Sequence, residues 1–330
     1  MKPFRMKAAL PSLALTAAAL TAPVVTADLP TPEDAAWSLR FDAERLFDSP
    51  LGVTLLDAAR DQEPRIDEWL VQAEETVGLD LREDIGHAVV YGGWDFARGI
   101  TVAADLTAGP GKLEGWMLAL PGYQSEDLDD ETLLHSFIVE EAAVATPADA
   151  DGVGALDRPA GRRVYIALPS EPDGSTRLVA AFDRGDASGM AAAARAGDLP
   201  DVDLADDRIA ALRVSDLPRN QVPANAPGSA IVDSIAGGEL TLGSGERIAL
   251  DLSLDATSAA RARQLGQLLT GMQGMLGFVA VEQPELAEIA RTLQQTSIVT
   301  DENNRSVSAA LSVSQADFER LLGHLVQNAN

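Results

Sequence analysis

ERIALDLSLDATSAARARQLGQLL, residues Glu246–Leu269, carries two periods in one run. Ile248, Leu250, Leu252 and Leu254 alternate with Ala249, Asp251 and Ser253, the spacing of a strand with one apolar face. Past Asp255 the spacing lengthens to that of a helix, so Asp255 reads as the cap at a β-to-α corner. Similar corners punctuate the rest of the chain: AWSLRF before Asp42, GITVAADL before the helix from Lys112, RLVAAF before Asp186, and SVSAALSV before Ser314, with Asp317 completing an approximate capping box. A weaker corner at IAALRVSDL runs toward Pro218. Strands and helices interleaved this way predict an α+β fold, with an antiparallel or mixed sheet in each half of the chain covered on one face by helices.

The order of elements recurs. The strand at Trp37, a helix, the helix PRIDEWLVQAEETV, the strands HAVVYGG and GITVAADL and the helix from Lys112 form one β-α-α-β-β-α run. IALDLSL, the helix after Asp255, PELAEIARTLQQ, SIVTD, RSVSAALSV and the last helix form another. Ala36 and Ile248, Ala88 and Ser297, Gly99 and Arg305 stand 212, 209 and 206 residues apart, a drift small enough to predict two related halves. A β-rich stretch, HSFIVEEAAV, GRRVYIAL and RLVAAF, lies between them, with hairpin signals at Asp151-Gly152 and Asp173-Gly174. The Pro/Asn-rich LPRNQVPANAPG then sets a boundary: a half over residues 28–217 that includes the middle segment, and a half over 218–330.

The N-terminus places Lys2, Arg5 and Lys7 before an apolar run and the small-residue site Val25-Thr26-Ala27. This order predicts a secretory signal peptide over residues 1–27 and a protein that is periplasmic or secreted. The chain has no cysteine, which excludes disulfides, thiol catalysis, cysteine-ligated zinc and a lipid anchor on cysteine. Removal of the three basic residues takes the formal charge from -26 to -29. Such a field repels nucleic acid, which needs clustered Lys and Arg. No later apolar run reaches the roughly 20 residues of a membrane span, so the reading is not an integral membrane protein.

RLFDSPLGVTL (Arg45–Leu55), GLDLREDIGHAVVYG, KLEGWMLALPGY and LLHSFIVEE, with ELTLGSGERIALDLSLDATSAA and VEQPELAEIARTL in the second half, together resemble a family of exported bacterial proteins frequent in planctomycetes. The resemblance spans most of the chain after residue 27. It implies a duplicated α+β fold and brings no activity or catalytic residue to transfer. Where that family often has Gly-Gly before its His-bearing strand, this chain has Asp129-Asp130-Glu131.

No motif of a catalytic site appears. There is no G-x-S-x-G elbow, and LGSGE at Leu242–Glu246 reads as a hairpin turn. His87, His135 and His324 show no zinc spacing, and His135 and Ser136, as neighbours on a strand, point to opposite faces. DGVGALD lacks the third glycine of a dinucleotide loop. The acidic runs SEDLDDE, DADG and DVDLADD offer oxygen ligands for calcium, but like charges in a short run read first as solvated loops. Neither a cofactor nor a metal is implied, and no catalytic residue is assigned.

The distinctive apolar feature is QLGQLLTGMQGMLGFV. Leu265, Leu268, Leu269, Met272, Met275, Leu276 and Val279 fall on one predicted helical face, while Gly266, Gly271, Gly274 and Gly277 allow another element to come close. That face is either core or the wall of a hydrophobic groove. The sequence thus predicts a non-catalytic exported module that binds an envelope protein or plays a structural part there. A periplasmic carrier of a hydrophobic ligand such as lipid is the alternative, and a calcium-dependent hydrolase or adhesin module the third reading.

Overall fold

The computed structural model describes residues 35–320 except 63–65, 78–79, 81, 95–99, 108–110, 129–131, 139–161, 171–174, 197–203, 205–207, 216, 218, 220–228 and 283–286. The hairpin signals at Asp151-Gly152 and Asp173-Gly174, the DADG run, His324 and the signal segment lie outside the described residues. The chain runs β1 (Trp37–Asp42), α1 (Ala43–Asp48), α2 (Pro50–Gln62), α3 (Ile66–Val77), β2 (Ile85–Gly92), β3 (Ile100–Leu106), α4 (Gly111–Met117), β4 (Gln124–Asp127) and β5 (Leu133–Ile138). It continues with β6 (Arg163–Ala167), β7 (Thr176–Ala181), α5 (Arg184–Ala196), β8 (Arg208–Val214), α6 (Ser229–Val232), β9 (Ile235–Ser244) and β10 (Ile248–Ala256). Then follow α7 (Ala259–Glu282), α8 (Ala287–Leu293), β11 (Ser297–Asp301), β12 (Ser306–Val313) and a helix over 315–320.

All twelve strands join one sheet in the order β11-β12-β10-β9-β8-β1-β2-β3-β7-β6-β5-β4. Every named pair is antiparallel. The expected sheet in each half is therefore a single sheet, continuous through the β8–β9 pair across the expected boundary. The expected recurrence is not reproduced: three helices, α1, α2 and α3, separate β1 from β2 where two, α7 and α8, separate β10 from β11, and the pairing differs as well. β1 lies beside β2, the first strand of its hairpin, whereas β10 lies beside β12, the second strand of the other.

Sequence period decides which faces are covered. In β10 and β12 apolar and small polar residues alternate, and among the described residues one face alone carries helices: Ile248, Leu311 and Val313 pack with Leu51 of α2, Leu293 of α8 and Phe318. Farther along the same strands, Ala256 and Val307 pack with Ala262 and Leu265 of α7. The reverse face there is polar, with Arg208 paired to Asp251 and Arg40 to Glu239 at 3.2 Å. In β2, β3 and β7 the apolar run is nearly continuous, so both faces are buried. α4 covers one with Leu113 and Met117 over Leu106, Phe137 and Ile166. α5 covers the other, its Met190 on Val89, Tyr91 and Val179 and its Ala187 and Ala191 on Leu134 and Ala181. Covering on both faces in this part departs from the one-sided expectation.

The caps repay inspection. Asp42 Oδ1 accepts from the Arg45 backbone N–H at 2.9 Å, as expected, and Ser314 and Asp317 bond reciprocally, hydroxyl to carboxylate at 2.6 Å and backbone N–H to hydroxyl at 3.2 Å. Two other caps move. Asp183, not Asp186, accepts the first N–H groups of α5, and Ser258, not Asp255, caps α7. β10 simply runs farther than its own residues suggest, because Asp255 is still paired with Ser306 of β12.

Candidate functional site

In an antiparallel pair, directly opposed residues share a face. Following the register from β10 toward β3, Leu252 faces Leu240, Leu240 faces Leu212, Leu212 faces Leu39, Leu39 faces Val90 and Val90 faces Val102. These six side chains form one row across the strands on the helix-bearing face. With about 4.8 Å between neighbouring strands, the row is roughly 24 Å long. On β10 it lies between the cluster that carries α2 and α8 and the cluster that carries α7. Its second and third members, Leu240 and Leu212, are 39% and 37% exposed, an unusual state for leucines on inner strands of a sheet. The row amounts to an apolar floor between two sets of helices. Nothing in the local sequence marks it, because its members come from six separate strands; only register brings them together.

The predicted groove residues divide. α7 is a continuous helix, but its contact with the sheet is made by Ala262, Leu265 and, half-buried, Leu269. Leu276 is half-buried, while Leu268, Met272 and Met275 are exposed. Val279 lies on α7, and its side chain is outside the described residues. At 100° per residue the helix is thus seated roughly 70° round from the predicted stripe. Gly266 explains the rotation: a Cβ there would stand 2.0 Å from the Thr300 Oγ1, so the small Ala262–Gly266 side lets α7 settle closest on β11. Gly277 is close to Gln294, but Gly271 and Gly274 face open space. Gln273, seven residues after Gly266 and on the same side, then fixes α7 by donating through Nε2 to the carbonyls of Gln294 and Thr296 at 2.9 and 2.7 Å.

The acidic stretch before His135 is partly a strand. Gln124–Asp127 is β4, exposed along its length at the sheet edge, where Glu126 and Asp127 deter pairing with another chain. Asp129–Glu131 lie outside the described residues. His135 is buried on β5, its Nδ1 hydrogen-bonded with the Tyr123 hydroxyl at 2.9 Å, while Ser136 receives Arg163 Nη1 at 2.9 Å. The two neighbours serve different faces and form no dyad. Burial holds the His135 imidazole below its ordinary value, with the Glu114 carboxylate pulling the other way.

That direction has a sign. Below the ordinary imidazole value of about 6.5 the unfolded chain binds a proton that folded His135 resists, so its share of stability falls as pH falls. Urea unfolding at pH 7 and pH 5 is expected to show a smaller loss for His135→Gln than for the parent chain. Equal losses would mean that His135 accepts its proton without cost.

A grouping not foreseen lies at the ends of β1, β2 and β3. His87 stands with Nε2 3.4 Å from Asp42 and Nδ1 3.6 Å from Asp105. Both acids are already engaged, Asp42 with Arg45 and Asp105 with Arg177, so the arrangement joins strands and caps α1. Among the described residues no group of three or more His, Asp and Glu is placed to hold a metal ion. Among them, too, no helix is long and apolar enough to cross a membrane.

No family model matches the chain, and no curated protein matches it. Two solved structures of a protein called TP0453 are similar to it. Crystal form IV has a TM-score of 0.44 at 9% identity, covering 88% of this chain and 93% of that one. Crystal form III has a TM-score of 0.43 at 8% identity, covering 89% and 94%. A likeness this distant carries nothing about activity.

Proposed function

We propose that this protein is a non-catalytic carrier, acting outside the cytoplasm, that holds a hydrophobic ligand with a long acyl chain. The observation that supports the reading is the row from Leu252 to Val102, six apolar side chains in register with two of its leucines left more than a third exposed. Apolar surface of this kind is stabilised by removal from water at roughly 25 cal/mol per Å², and a row of roughly 24 Å suits an extended chain better than a compact solute. The basic-apolar-small N-terminus supports export, and the resemblance to exported bacterial proteins fits an envelope role. With a formal charge of -29 once residues 1–27 are removed, the ligand's headgroup is neutral or cationic rather than anionic.

Native mass spectrometry of gently purified protein tests the reading. The expected result is a bound lipid, displaced by a fluorescent fatty-chain probe. A clean ligand-free mass together with no binding of the probe would overturn it.

A further inference from the structure

We infer that the exposed side of α7 is a self-association surface, its occupant the same side of α7 on a second copy of this chain. The second half of α7 is apolar nearly all round. One side lies against the segment that follows α8, through Gln273 and Gly277; the other leaves Met275 65%, Phe278 77% and Val281 81% exposed, with Leu268 and Met272 beside them. A helix that is apolar on every side is a buried helix, and here no described residue covers the outer half.

Charge selects the occupant. The chain holds 51 Asp and Glu in 330 residues, yet Ala256–Val281, a run of 26, holds none. Two copies at -26 each repel wherever carboxylates meet; along α7 they do not. An antiparallel pair of these helices about a twofold axis near Gly274 and Met275 brings the same apolar side of both copies together, as an isologous contact requires. The glycines point the same way. Gly271 and Gly274 lie on the exposed side with nothing within 4 Å. Each weakens an isolated helix and does nothing for contact with a lipid surface, but both let a second helix backbone approach closely.

The absence of cysteine makes the test clean, because any disulfide formed by a single introduced thiol joins two copies. Sedimentation equilibrium of the full chain at micromolar concentration is expected to show a dimer. Met275→Glu, which places like charges near the axis, is expected to raise its dissociation constant at least about tenfold. Gly274→Cys is expected to oxidise to a covalent dimer, since the paired helices bring the two positions within disulfide reach, whereas Leu118→Cys, exposed on the other half, forms no disulfide-linked dimer. A monomeric parent chain would overturn the inference, as would a dimer indifferent to Met275→Glu. Flotation of a monomeric protein with neutral phosphatidylcholine vesicles, abolished by Met275→Glu, would assign the surface to lipid instead and equally overturn it. The inference is independent of the leucine row: Leu212 and Leu240 variants leave the dimer intact.

Discussion

Gly52→Ala is expected to destabilise the chain by about 3 kcal/mol, measured as a shift in the urea midpoint with the slope unchanged. The geometry leaves little choice. A Cβ on Gly52 would stand 1.5 Å from the carbonyl oxygen of Leu46, a backbone atom that no rotamer change can move aside. The close approach is built from the neighbouring residues. α1 ends at Asp48; Ser49 donates its hydroxyl to the Leu46 carbonyl at 3.0 Å and accepts from the Gly52 N–H at 2.9 Å; Pro50, with no N–H to satisfy, opens α2. The corner aims buried Leu51 at Ile209, Ile248, Leu311 and Val313, which tie β8, β10 and β12 together. Gly266→Ala is the instructive contrast. Its Cβ would meet the Thr300 side chain, which can turn away at a smaller cost, so its midpoint is expected to fall between those of Gly52→Ala and the parent. If Gly52→Ala unfolds with the parent, the α1–α2 corner is not as tight as described.

Ser-Pro-Leu-Gly shows where local reading falls short: one helix was expected between the strand at Trp37 and PRIDEWLVQAEETV, and the break between α1 and α2 at Ser49 and Pro50 was not read from it. The caps at Asp42 and at the Ser314–Asp317 pair were legible, because each demands a residue type. The strand cores were legible by alternation, and so was the class, helices with a large antiparallel sheet. What the residues do not express is long-range choice. Nothing within β11 or β12 states which of them lies beside β10, and that choice separates the observed pairing from a repeat of the β1–β2–β3 arrangement. Asp255 was misplaced as a cap for a related reason: its pairing with Ser306, about fifty residues on, outweighs its own preference for a helix start. On α7 the periodicity was present but ambiguous, since an all-round apolar helix offers several stripes, and the small side with Ala262 and Gly266 won the sheet because it packs closest. The candidate site was the least legible part. Leu39, Leu212, Leu240 and Leu252 each look like one more strand leucine until the register lines them up.

Replacing Leu212 and Leu240 together by glutamine is expected to lower affinity for a fluorescent fatty-chain probe by at least about 100-fold, with stability changed by no more than about 1 kcal/mol. Two quantities separate here that usually move together. In a closed core, two polar substitutions for leucine would cost both packing and desolvation and would cripple the fold. Leu212 and Leu240 already leave more than a third of their surface in water, so an amide at either position keeps its hydration in the free protein. Only when an acyl chain lies over the row must that hydration be given up, at about 1–3 kcal/mol per amide, while the apolar contact is lost as well. Two such sites account for the expected fall in affinity. Leu118→Gln supplies the control, as Leu118 is still more exposed but follows α4 and is no member of the row, and its variant is expected to bind the probe as the parent does. Unchanged binding by the double variant would place any ligand elsewhere and remove the leucine row from the proposal.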